Sequence, residues 1–210
     1  SVDPEVHSSN WLNCDPEQAK IAIRLINKFG KERGERGLPK LLPGLNFIAG
    51  LNGEKPEKTY SLNLNFLSEL KNEGLWLRRI NIRQVEGKGF QEIPPKEFKQ
   101  FKSKVRDEFD GPLLEEMFPI GTLLKDVWWE SHDNRTRLPV HLTDKHCSNE
   151  IHGNAGITFG RQIGAYPILI GAEYHIPLET QSNVLVTGHG KRSITAVETN
   201  LDINSVSQHQ

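Results

Sequence analysis

The chain has 210 residues, 36% of them hydrophobic and 25% charged, with 18 Gly, 12 Pro, 2 Cys and a formal net charge of -1. That balance fits one globular domain or two small ones and excludes a disordered tail, while no uncharged apolar run approaches the roughly 20 residues of a membrane helix. Two cysteines, Cys14 and Cys147, are too few for a disulfide scaffold, a Cys-rich zinc site or the three or four thiolates of an iron-sulfur cluster. The chain starts at Ser1 with no signal or targeting segment, and is read as a fragment of a longer, soluble polypeptide with no membrane partner, in a reducing cytoplasm. Charge is uneven. Residues 1–110 hold 19 Lys/Arg against 16 Asp/Glu and residues 111–210 hold 7 against 11, which argues against a purely electrostatic grip on nucleic acid in the second half.

Asp15-Pro16-Glu17 is a helix start: Asp accepts from free N–H groups, Pro fits the first turn and Glu suits the positive helix end. Ala19, Ala22, Ile23, Ile26 and Phe29 then form an apolar stripe at helical spacing, and Gly30 ends it. Leu41 to Gly50 reads as a buried strand closed by Asn52-Gly53. The stretch from Pro56 to Asn72 fits both periods, and its length together with Pro56 and Gly74 decides for helix. Leu75 to Val85 supplies the next strand. Strand, helix, strand in about 45 residues predicts a βαβ unit with parallel strands.

Pro94-Pro95 opens a further helix with Phe98, Phe101, Val105 and Phe109 along one side. Beyond Pro119 the pattern changes to short β-rich runs punctuated by Gly: Leu123 to Trp129, Ile157 to Ile163, Tyr166 to Ile170, Val184 to Thr187 and Ser193 to Val197. These predict a small antiparallel barrel or sandwich, with the domain boundary near residue 118. The fold class is therefore α/β, a partial βα barrel, followed by a small all-β barrel.

In a βα barrel the strand residues facing the helices are apolar, while those facing the lumen are polar if a ligand fills it. Alternation puts Ile80 and Ile82 against helices and turns Arg79, Asn81 and Arg83 to the lumenal side, joined by Asn46 if Phe47 packs outward. Unpaired burial of such groups costs several kcal/mol, so a polar or carboxylate-bearing ligand is one partner; an edge strand with solvated or salt-bridged arginines is the other reading.

Val2-Asp3-Pro4-Glu5-Val6, Asn10, the helix from Asp15, LPGLNFIAGLNGE at 42–54 and Leu75 to Val85 together resemble the carboxyl-terminal half of a radical S-adenosylmethionine barrel. In that resemblance Gly50, Gly53 and Glu54 match the GxxGE-like turn after the fifth strand, and Arg79 to Gln84 falls on the sixth. LLPGLNFIAGL, LRRINIRQV, TFGRQIGAYPILIG and VTGHGKRSITAVE resemble, more narrowly, a group of Fe-S oxidoreductases that carry a TRAM-like β-barrel and then a helix-hairpin-helix segment. The resemblance implies that residues 1–118 are the carboxyl-terminal half of the radical barrel and residues 119–210 a TRAM-like module. It implies Asn46, Gly50, Arg79, Asn81 and Arg83 as cofactor-binding, with a 4Fe-4S cluster and S-adenosylmethionine as the parent's cofactors. It also implies a missing amino-terminal half of the barrel as a partner, or a second copy of the chain covering the open face. The family's CxxxCxxC is not in this sequence, so the fragment is expected to bind no cluster and to be inactive alone; Leu201 to Ser205 resembles the lead-in to the helix-hairpin-helix segment.

His141, His146, Cys147 and His152 cluster within twelve positions, yet their spacing lacks a close ligand pair, and neither a metal site nor a catalytic residue is assigned. Of the adjacent Trp128 and Trp129, one is expected in the core and one outside, where it could stack on a base or pack against a subunit. Phe159 and Arg161, with Lys191 and Arg192 in a second Gly-containing tip, are the candidate contacts to RNA or DNA, a hairpin turn with a salt-bridged Arg being the plainer alternative. Three functions follow: part of a radical enzyme that modifies a nucleic acid, an independent nucleic-acid-binding module, or a dimerisation element.

Overall fold

The structure, a computed structural model, describes residues 1–85, 87, 89–133, 156–164 and 167–199. The chain divides into two units, Ser1–Gly34 with Pro39–Met117, and Glu35–Leu38 with the chain from Phe118 onward.

The first unit is α/β. Its helices are α1 (Pro4–Asn10), α2 (Pro16–Gly30), α3 (Pro56–Asn72), α4 (Pro95–Val105) and α5 (Gly111–Met117), and its strands are β1 (Gly44–Ala49) and β2 (Arg79–Gln84). Four of these helices begin on a proline, and Asp15 caps α2 through the amides of Glu17 and Gln18. Strands β1 and β2 pair in parallel, Gly44 opposite Arg79 through Ala49 opposite Gln84, with α3 as the connection, which is the βαβ unit expected. Phe47, Ala49, Ile80 and Ile82 are buried, and Phe47 meets Phe101 of α4 edge-on at 6.3 Å. Phe47, Ile80 and Ile82 each contribute on the order of 1.5–3 kcal/mol by leaving water. A π-helical turn at Arg106–Asp110 joins α4 to α5 and buries Phe109.

Helix α2 departs from the expected stripe. It is buried through Ile23, Asn27 and Gly30, while Ala22 and Phe29 of the expected stripe are exposed, as are Ile21 and Leu25 outside it. Asn27 takes the inward position because its side-chain amide replaces missing backbone partners: Nδ2 donates to the Ile23 and Trp76 carbonyls, and Oδ1 accepts from the Trp76 amide at 2.7 Å. An apolar-only count misses such a residue.

The second unit is a β-barrel of β3 (Leu123–Asp133), β4 (Ile157–Gln162), β5 (Leu169–Ala172), β6 (Gln181–His189) and β7 (Ser193–Thr199), closed in the order β3-β4-β5-β7-β6. Every pair is antiparallel except β5 with β7, so the expected all-antiparallel pairing is corrected at one junction. Five strands in this order, with one parallel pair, make the Greek-key barrel of the OB-fold. The interior holds Leu124, Val127, Trp129, Ile170, Val184, Val186, Ile194 and Ala196. Gly160 is required there, since a Cβ on it would lie 2.6 Å from both the Trp128 carbonyl oxygen and Cε3 of the Trp129 indole.

The closed barrel overturns one expectation. A missing amino-terminal half was expected as a partner, but the barrel in this chain is completed by its own five strands, all of which lie between residues 123 and 199. The residues before it supply a two-stranded parallel sheet with its helices. Closure leaves no free strand edge in that barrel for a further segment to pair with.

Candidate functional site

Two surfaces carry the residues singled out by the sequence, one in each unit. On β1 and β2 the alternation of burial is regular: Phe47, Ala49, Ile80 and Ile82 face the helices, and Asn46, Arg79, Asn81 and Arg83 lie on the opposite face. Asn81 Nδ2 donates to Asn46 Oδ1 at 2.9 Å, a cross-strand pair set by the register of these two positions. Among the described residues neither Arg79 nor Arg83 has a carboxylate partner, so two exposed guanidiniums bracket an amide pair. Such a face can hold a carboxylate or phosphate, the geometry that guanidinium forks match.

Gly50 ends β1 with φ +89°, a conformation that a side chain would strain, and a Cβ there would approach the Val85 carbonyl oxygen at 2.6 Å. The turn is held by Glu54, which is 1% exposed and whose Oε2 accepts from the amides of Gly50 (2.7 Å) and Leu51 (3.3 Å). Burial pushes the Glu54 carboxyl above the usual carboxylate range despite these two bonds. The hydroxyl of buried Tyr60 lies near this carboxyl and interacts with it, and neither Glu54 Oε1 nor that hydroxyl meets a further partner among the described residues.

On the barrel, β4 places Thr158, Gly160 and Gln162 inward and Ile157, Phe159 and Arg161 outward. Thr158 donates to the Tyr174 carbonyl and accepts from the Ile176 amide, which ties the segment before β6 to this strand. The tryptophan pair divides as the alternation predicts: Trp129 is 0% exposed and donates from Nε1 to Ser182 Oγ, while Trp128 is 37% exposed and stands opposite Arg161 in the β3–β4 register. Phe159 stands opposite Gly171 of β5, where a Cβ would lie in ordinary contact with its ring at 3.5 Å, so the ring packs against the neighbouring strand. Arg161 Nε lies 3.5 Å from Glu130 Oε2, an exposed pair of small energetic weight. Lys191 and Arg192 are exposed in the β6–β7 turn, which Gly190 closes by donating to the Ser193 carbonyl.

The four candidate nucleic-acid residues therefore occupy two elements, the outer face of β4 and the β6–β7 loop. In OB-folds the face of the second and third strands and the loops after the first and fourth strands hold oligonucleotides, and β4, β5 and the β6–β7 loop are those elements here. His141, His146, Cys147, His152, Tyr166 and Leu201 to Ser205 lie outside the described residues. Among the described residues no group of three or more His, Cys, Asp or Glu is placed to hold a metal, and no helix is long and apolar enough to cross a membrane.

No family model matches the chain. It is similar to an uncharacterised protein of Archaeoglobus fulgidus, 37% identical over 220 residues that cover 100% of this chain and 37% of that protein. It is also similar to an uncharacterised protein of Methanocaldococcus jannaschii, 35% identical over 206 residues that cover 93% of this chain and 34% of that protein. The chain thus spans about a third of the length of the curated relatives it matches.

Proposed function

We propose that the barrel binds single-stranded nucleic acid, with Trp128 and Phe159 as stacking platforms and Arg161, Lys191 and Arg192 as phosphate contacts. The observation that carries this reading is the position of Phe159 and Arg161 on the outward face of β4, the strand that OB-folds use for oligonucleotides. Stacking is sequence-tolerant and needs no large positive field, which suits a module whose own charge is slightly acidic. The exposed thiol of Cys14 fits the reducing cytoplasm assigned to the protein in this reading.

Fluorescence anisotropy with a labelled single strand of about ten nucleotides tests it. Micromolar binding is expected at about 50 mM salt, weaker on duplex of the same sequence. Replacing Phe159 by Ala should weaken it about fivefold or more, the loss of one stacked base. No binding at low salt, or an unchanged affinity in the Phe159→Ala protein, refutes the reading.

A second reading rests on the α/β unit: the longer protein is a radical S-adenosylmethionine Fe-S oxidoreductase that modifies a nucleic acid. The parallel β1–β2 pair with Asn46, Arg79, Asn81 and Arg83 on one face supports it, because that face suits the carboxylate of an amino-acid-bearing cofactor. The 4Fe-4S cluster does not fit this chain: three thiolates are needed and the sequence holds two cysteines 133 positions apart. No chemical step on a cluster is assigned to these residues. Their part in this reading is to hold and orient a ligand.

A further inference from the structure

Two histidines stand side by side at one end of the barrel. His132 lies near the end of β3, opposite Thr158 of β4 in the register, and His175 lies in the connection from β5 to β6. Their rings meet edge to face, with centroids 4.5 Å apart and planes at 77°. The chain is fixed on both sides of His175: the Thr158 hydroxyl donates to the Tyr174 carbonyl at 2.7 Å and accepts from the Ile176 amide at 3.0 Å, while the Tyr174 hydroxyl accepts from the Glu198 amide at 2.7 Å. His132 is tied to the same segment through Nε2, which lies 2.8 Å from the Ile176 carbonyl oxygen. One set of bonds thus sets the place of both rings.

A carbonyl oxygen only accepts, so in the neutral ring of His132 the proton sits on Nε2 and Nδ1 keeps its lone pair. Among the described residues no donor meets that lone pair, and neither ring has a carboxylate partner. A histidine that gives one N–H to a backbone carbonyl and turns its other nitrogen elsewhere has the arrangement of a metal ligand, in which the carbonyl fixes the tautomer and the direction of the ring. The spacing agrees with a shared ion. Zinc bound at about 2.0–2.1 Å from an imidazole nitrogen lies about 3 Å from the ring centre. Ring centres 4.5 Å apart then fit two adjacent positions in the shell of one ion.

We infer that His132, through Nδ1, and one ring nitrogen of His175 hold a divalent transition-metal ion of the kind that imidazole favours, zinc foremost. Two protein ligands leave the other positions of the ion to water or to an oxygen of a ligand, which makes this an open site. The site stands independently of nucleic-acid binding by the barrel and of the face on β1 and β2.

The test is titration of the chelator-treated full chain with zinc chloride, following the imidazole nitrogens by proton–nitrogen correlation spectra, which separate His132 and His175 from the other histidines. Saturable shifts of both rings are expected, with Nδ1 as the responding nitrogen of His132, and none with magnesium, an ion that takes oxygen ligands. His132→Ala and His175→Ala should each weaken zinc at the remaining ring about tenfold or more, since one of two bonds to the ion is lost. Zinc should also raise the melting temperature of the native chain and leave that of His175→Ala unchanged. Position 175 is exposed, so His175→Ala keeps the test sound if His132→Ala unfolds. No shift at the two rings, a shift of one ring without the other, an equal response to magnesium, or zinc affinity unchanged in the folded His175→Ala protein overturns the inference.

Discussion

Glu54 and Asp3 are both buried carboxylates of the α/β unit, and they respond to pH in opposite senses. At Asp3 burial favours the neutral acid, but the Thr59 hydroxyl at 2.6 Å, the Glu5 amide and Lys58 outweigh it and hold the carboxyl below the usual range. Its contribution to stability is present above the unfolded-state value and is lost as pH falls through the lowered folded one. At Glu54 burial wins, and the folded state binds the proton more tightly than the unfolded chain. Between the ordinary glutamate value and the raised one, folding therefore takes up a proton, and stability falls as pH rises through that window. Urea midpoints measured from pH 4 to pH 8 should show this fall in the native sequence and a flatter curve in Glu54→Gln, the difference isolating Glu54 from Asp3. The sequence placed Glu54 in a turn after the strand through its resemblance to a GxxGE pattern, but that its second oxygen lies buried beside Tyr60 depends on how α3 packs, which no local pattern encodes.

At the scale of the element, β4 is the most constrained strand of the barrel. Gly160 sits opposite Trp129, and the indole occupies the volume that a Cβ would need. Gly160→Ala should therefore destabilise the barrel by about 1–3 kcal/mol, the usual cost of overpacking, whereas Ala in place of exposed Arg161 should change stability by about 0.5 kcal/mol or less. Chemical denaturation followed by tryptophan fluorescence separates the two. From the sequence Phe159 and Arg161 read as part of a Gly-rich tip, whereas they lie on the outward face of a strand whose one buried face imposes period two. Its use as a binding face was not legible. That depends on β4 being the second strand of a closed five-strand order, and the order rests on the pairing of β5 with β7, residues more than twenty positions apart. Helix α2 teaches the converse: its start at Asp15 is a local capping effect and was read correctly, but Gly30 is its last helical residue, kept free of a side chain by the Leu41 backbone, and the face it buries was chosen by Asn27 bonding Trp76, a partner 49 positions away.

At the scale of the whole molecule a net charge of -1 supplies no long-range attraction for a polyanion. Binding of a single strand should then depend weakly on salt: with Arg161, Lys191 and Arg192 as the phosphate contacts, the slope of log affinity against log salt should not exceed about 2 in magnitude, at about 0.7 per contact. The double change Arg161→Ala with Arg192→Ala should lower it by about 1.4, and affinities measured from about 50 to 300 mM salt read this directly. The sequence by itself determined the type of most elements, most of their limits, the change from α/β to β grammar near residue 118 and the faces of β1 and β2, because propensity, capping and alternation act over a few neighbouring residues; α1 and α5 were not read from it. The tertiary structure decided that the barrel closes on its own five strands, that β5 pairs in parallel with β7, that α2 leaves Ile21, Leu25 and Phe29 exposed, and that Glu54 and Tyr60 meet. Those outcomes rest on contacts between residues far apart in the chain, whose energies depend on which surfaces are left to cover once the local elements have formed.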